Sequence, residues 1–171
     1  MRAFGMTAIS TSRLILTRLR PADAGPMTAV LAAEQLYEYI DGSPPTVSEL
    51  RRRYQRQVDG SGSPAELWLN WIVRLRATRE PVGTVQATVI RKETAWSAWV
   101  AWVIGMPWQG RGYASEAAAA LVGWLREQGA SVINAAIHPS HRASQQVASR
   151  AGLTLTAEEV EGEQVWRLNA G

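Results

Sequence analysis

An apolar stretch, Ala98 to Ile104, leads into Gln109-Gly110-Arg111-Gly112-Tyr113-Ala114, and Ala117 to Leu121, Trp124 and Leu125 follow. That order dictates a strand, a glycine-bearing turn and a long helix. Glycines let the turn crowd its backbone N–H groups inward, and the helix N-terminus adds partial positive charge. Together they form an anion cradle suited to a phosphate or pyrophosphate. Two familiar phosphate loops are excluded. A Walker A loop ends in lysine followed by Ser or Thr, and the only lysine here is Lys92. A dinucleotide fingerprint has three glycines and an acidic residue about 20 residues on, but Ala114 ends this loop.

The rest of the chain extends that pattern. Leu14 to Leu19 reads as a strand, Pro21 to Ala33 as a helix and Gln35 to Ile40 as a short second one. Thr46 and Glu49 form a capping box, and Leu50, Tyr54 and Val58 recur at helical spacing as a buried face. Leu67 to Arg76, Val82 to Ile90 and Ala95 to Ile104 predict an antiparallel meander. A helix over Gly112 to Gln128, a strand over Val132 to Ile137 and a helix over Ala143 to Arg150 come next. Leu153 to Glu158 and Gln164 to Leu168 close the chain as a hairpin. The expectation is one α/β (α+β) domain over 1–171, a mixed sheet of about seven strands with helices on both faces.

Composition narrows the chemistry. With no cysteine there is no disulfide, thiolate metal site or cysteine nucleophile, and two histidines three residues apart speak against a metal. Met1 to Ile9 does not read as a signal peptide, and the longest apolar run, Ala98 to Met106, is too short to span a bilayer. A cytoplasmic protein without a membrane partner is expected. The net charge of +3 is modest, and Arg51, Arg52, Arg53 and Arg56 read as a solvated helix face rather than a nucleic-acid surface, which would interleave aromatics. Glu158, Glu159, Glu161 and Glu163 read as the polar side of the last hairpin, or as an attraction for a cationic amine.

The loop resembles the pyrophosphate loop of the GNAT superfamily of acyl-CoA N-acyltransferases, with Gln109, Gly112 and Ala114 at its three defining positions. Thr11 to Thr17, Pro107 to Ala117 and His138-Pro139-Ser140-His141-Arg142-Ala143-Ser144 are similar to segments of the ribosomal-protein N-terminal acetyltransferase (RimJ/RimL-like) branch. The resemblance implies acetyl-CoA as co-substrate and no metal. It implies a cleft in which the Val103 and Ile104 backbone pairs with the pantetheine arm and offers an N–H to the thioester oxygen. Gln109, Gly110, Arg111, Gly112, Tyr113, Ala114 and Ser115 would hold the pyrophosphate. Many relatives carry asparagine where this chain has His141, a candidate cofactor contact. The tyrosine that some relatives use as general acid would fall at Ala148.

Acyl transfer to an amine needs a neutral amine, a donor for the oxyanion and a proton for the departing thiolate. Ser144 is the candidate for the last, or a helix serine facing water. His138 is a candidate base, or a turn histidine. The strand before the loop carries no carboxylate and Glu93 lies beyond it in the turn, so Glu34, Glu38 and Asp41 are alternative candidates for the base, with Glu38 the one assigned, unless ordered water removes the proton, and all three suit an incoming ammonium group. Tyr37, Tyr39, Trp96 and Trp102 are candidates to flank the acceptor. Core packing is expected for most of the tryptophans. The reading is acetyl transfer by direct attack on a primary amine, a protein N-terminus or a small molecule, with a homodimer left open. The alternative is a non-catalytic CoA-binding sensor or interaction module.

Overall fold

A computed structural model describes residues 4–170, so Met1, Ala3 and the rest of the first three residues of the leader reading, and Gly171, lie outside it. Strand alternation builds two apolar layers. In β3 (Glu66–Leu75), Leu69, Trp71 and Val73 face one side of the sheet and Ile72 the other. The first face carries the larger core, closed by α3 (Tyr113–Glu127) through Ala117, Leu121, Val122, Trp124 and Leu125. Trp71 is fully buried there, edge-on to Trp124 with ring centroids 5.2 Å apart, and its Nε1 donates to the Thr7 carbonyl. On the opposite face Ile72 packs with Met27 and Val30 of α1 (Ala24–Val30) and with Leu50 and Tyr54 of α2 (Val47–Asp59).

The remaining strands are β1 (Ile9–Ser10), β2 (Leu14–Arg18), β4 (Pro81–Lys92), β5 (Ala95–Ile104), β6 (Ala130–Ile137), β7 (Thr154–Val160) and β8 (Glu163–Asn169). They form one sheet in the order β1-β2-β3-β4-β5-β6-β8-β7. Every neighbouring pair is antiparallel except β5–β6, which is parallel and bridged by α3. A last helix, α4 (Arg142–Arg150), follows β6. The expected mixed sheet with helices on both faces is therefore present, with eight strands rather than seven. The extra one, β1, is two residues long and has no periodicity to read.

Local signals held where they rested on side-chain chemistry. The Thr46–Glu49 capping box forms, with the Glu49 N–H donating to Thr46 Oγ1 at 3.2 Å and the Thr46 N–H to Glu49 Oε2 at 2.8 Å. Three expectations are corrected. Val58 is 38% exposed, because the small core under α2 ends at Tyr54. The helix expected over Pro21 to Ala33 is a 3₁₀ turn, Pro21–Asp23, running into α1. The segment Gln35 to Ile40 is no full helix: it holds a 3₁₀ turn, Glu34–Tyr37, then bends.

Candidate active site

β5 and β6 pair only from Trp96 to Trp99 against Ala130 to Asn134. Beyond that they part, leaving the β6-facing backbone of Val100 to Ile104 without a strand neighbour. Buried Asn134 sits at the fork. Its amide reaches the Ala98 carbonyl, and its Oδ1 accepts from Arg167 Nε at 2.7 Å. Arg167 is held in turn by Glu158 through bonds of 2.6 and 2.8 Å, which gives that acidic residue a structural role. At the β4 side of the cleft, a Cβ on Gly83 would overlap the Val103 carbonyl oxygen, so only glycine lets the two strands approach there.

The gap opens into a cleft of about 870 Å³. Its floor includes Trp102, Val103 and Ile104 from β5 and Ala135 to Ile137 from β6. One end is the glycine turn. Gly112 caps α3 at φ 81°, a left-handed conformation that glycine adopts without strain. The Glu116 N–H is the first to close a helical bond, to the Gly112 carbonyl at 3.0 Å. The N–H groups of Tyr113, Ala114 and Ser115 are thus left for an anion, as at any helix start. Gln109 Nε2 donates to the Ile104 carbonyl at 2.9 Å, tying the turn to the end of β5. Gly110, Gly112, Tyr113, Ala114 and Ser115 line the cleft, whereas exposed Arg111 does not, and Arg13 holds its carbonyl at 2.9 Å. Arg142 and Arg150 of α4, which sequence reasoning passed over, also line the cleft and add positive charge to it.

The turn is braced by a contact that spacing alone does not reveal. Glu116, in the first turn of α3, accepts from Thr11 Oγ1 at 2.5 Å, from the Arg13 N–H at 2.9 Å and from Arg13 Nε at 2.7 Å. Burial pushes its carboxyl up, but these hydrogen bonds outweigh that and hold it below the ordinary range. The Arg13 guanidinium also lies over the Tyr113 ring, 4.6 Å from its centroid.

Across the cleft stand the residues that could act on an acyl group and an amine. Ser144 lines it from the first turns of α4, while Ala148 is buried in the core behind. His138 Nδ1 accepts the Ser140 N–H at 3.1 Å, so the neutral ring carries its proton on Nε2 and presents a donor. His141 is the N-cap of α4 and stacks on Tyr39, centroids 4.6 Å apart. Burial lowers its pKa, against the pull of Glu38, so the ring is neutral at pH 7. Glu38 and Tyr39 line the cleft from the segment that covers it. Tyr37 and Asp41 instead line a side cavity, with Tyr37 Oη donating to the Leu31 carbonyl at 2.9 Å. Glu34 is exposed and lines neither space. Trp102 reaches the cleft, but Trp96 is at the far end of β5, packed edge-on against Phe4 in the core.

One carboxylate at the cleft was visible beforehand only as part of an acidic run. The β6–β8 register pairs Ile137 with Gln164, which sets Glu163 beside His138. Burial raises the Glu163 pKa, and the negative charges of Asp41 and Glu161 add to this against His138. Among the described residues no group of three His, Cys, Asp or Glu could hold a metal, and no helix is long and apolar enough to cross a membrane.

The parallel strands β5 and β6 part beside a glycine-capped helix, an α/β arrangement that sets an anion cradle at one end of a long cleft. Residues 13–154 match the family profile described as acetyltransferase (GNAT) domain, and the chain belongs to that family. No curated protein matches it by sequence. Among solved structures it is similar to RimL, a ribosomal-protein alpha-N-acetyltransferase in complex with coenzyme A, at TM-score 0.80 and 17% identity, over 95% of this chain and 98% of that one. A Salmonella typhimurium enzyme that modifies the N-terminal serine of a 50S ribosomal subunit protein gives 0.77 and 17%, over 95% and 99%. The self-immunity acetyltransferase MccE in complex with acetyl-CoA and AMP gives 0.76 and 14%, over 93% of each chain. At such identities the likeness speaks for the fold.

Proposed function

We propose that the protein transfers acetyl from acetyl-CoA to a primary amine by direct attack, in the cytoplasm, where acetyl-CoA is at hand. The observation that carries this is the parted β5–β6 pair opening beside an anion cradle in one cleft. The Tyr113 to Ser115 N–H groups would hold the pyrophosphate, with Arg142 and Arg150 near. The pantetheine arm would lie along Val103 and Ile104 as an added strand, one N–H meeting the thioester oxygen as negative charge develops there. Glu163 takes a proton from the incoming ammonium group, directly or through water. The freed amine nitrogen attacks the thioester carbonyl, the C–N bond forms and the C–S bond breaks. Ser144 donates a hydrogen bond to the departing sulfur, which leaves as the thiol by taking, directly or through water, the second proton that the attacking nitrogen sheds. The relatives that act on ribosomal-protein N-termini support a protein N-terminus as acceptor ahead of a small molecule.

Free-thiol release from acetyl-CoA, monitored over a panel of peptides and small amines, tests this reading. Release should depend on the acceptor and should vanish in Gly112→Asp, which places bulk and negative charge in the cradle. If no acceptor raises release above the solution background while CoA binds normally, the protein is instead a CoA-binding module without transfer activity.

A further inference from the structure

On the α1–α2 side of the sheet lies a second cavity of about 200 Å³. Strand register builds its floor. Asn70 of β3 stands opposite Gln86 of β4, on the face that also carries Ile72, and Thr84 is two residues along from Gln86. Asn70 is only 8% exposed. Its carboxamide makes no hydrogen bond to any described residue, yet it is not sealed away, so its polar atoms open onto the cavity. Buried polar groups are nearly always paired, and this one is left for something that enters. Two charges of opposite sign line the same space, Asp41 at the end of the segment that covers the cleft and Arg53 on α2. Both are exposed, and neither forms an ion pair with the other or with any described residue. Neither lines the main cleft. A free carboxylate and a free guanidinium on one small cavity are matched partners for a molecule that carries both charges.

We propose that this cavity is a binding site for a free zwitterionic amino acid with a short polar side chain. The Arg53 guanidinium donates to the α-carboxylate, and the Asp41 carboxylate accepts from the α-ammonium group. The ligand's hydroxyl or carboxamide pairs with Asn70, with Thr84 and Gln86 beside it. Bound in this way, the amino acid joins α2 to the segment that ends at Asp41. A simple amine leaves Arg53 without a partner, and a simple carboxylate leaves Asp41 without one. An apolar side chain leaves the Asn70 carboxamide unpaired. Binding here does not depend on acetyl transfer in the main cleft.

Calorimetry on the whole protein, without acetyl-CoA, should compare serine and asparagine with alanine, ethanolamine and propionate. Serine or asparagine should bind with a Kd of about 1 mM or below. Ethanolamine lacks the carboxylate and propionate the ammonium group, so each should bind at least about tenfold more weakly. Alanine keeps both charges and should bind at least about threefold more weakly than the better polar ligand. Arg53→Gln and Asp41→Asn remove exposed charges without protein partners, so both variants should fold, and each should weaken the amino acid by at least about tenfold. Asn70→Ala should abolish the advantage over alanine. No binding by serine or asparagine, equally tight binding of alanine, ethanolamine or propionate, or an affinity that survives in the two charge variants overturns the inference. So does a preference over alanine that survives Asn70→Ala. Binding that the variants abolish upholds the site whether or not thiol is released from acetyl-CoA, so failure of the transfer reading shows separately.

Discussion

Glu163 meets the cleft with its carboxyl held above the ordinary range, and this predicts a pH profile as well as a rate. A carboxylate base works only when ionised. Activity should therefore rise with pH through the Glu163 pKa and level off above it. Glu163→Gln should lower kcat by about 10²-fold or more and abolish that limb, with acetyl-CoA affinity unchanged. A Gln variant that keeps the wild-type limb would assign the base elsewhere. His138 takes a different part, because its Nδ1 is occupied by the Ser140 N–H. Among single residues, legibility followed the kind of signal. Gly112 could be read because a left-handed helix cap demands glycine. Glu163 could not, because it is one acidic residue in a run of four and only the β6–β8 register turns it towards the cleft.

The element that organises the site is the turn leading into α3, and Glu116 fastens it to the strand that begins at Leu14. A carboxylate accepting four hydrogen bonds, one from a guanidinium and one from the Ser12 hydroxyl at 3.3 Å, is worth more than an exposed ion pair. Glu116→Ala should destabilise the fold by about 1.5–3 kcal/mol at pH 7, read from denaturant unfolding, and weaken acetyl-CoA binding by loosening the turn. The sign with pH follows from a folded pKa held below the unfolded value. The contribution is full above the unfolded value of about 4.3 and is lost as pH falls through the folded one. Wild type and variant should thus converge in stability in acid, and a gap that persists there would assign the effect to packing. The sequence showed Thr11 to Thr17 and Glu116 as separate segments. Their meeting spans more than 100 residues, a distance at which no local pattern carries information.

At the scale of the whole molecule the cleft exists because two neighbouring parallel strands diverge. Amides of Val100 to Ile104 that face β6 lack a strand partner, so they should exchange with solvent faster than the paired amides of β4, and slow when acetyl-CoA is added. Hydrogen exchange with and without the ligand checks this, and amides indifferent to it would place the pantetheine arm elsewhere. The sequence by itself determined most of the elements, the mixed sheet and the glycine turn at the start of α3, because periodicity, capping and backbone permissiveness act over a few residues. It also carried enough of the family's pattern to place the chain among the GNAT acetyltransferases. Tertiary structure alone decided where β5 leaves β6, which tryptophan faces the cleft and which the core, and that Glu163 stands beside His138. Each depends on register and packing between distant segments, where one residue's shift turns a side chain to the opposite face.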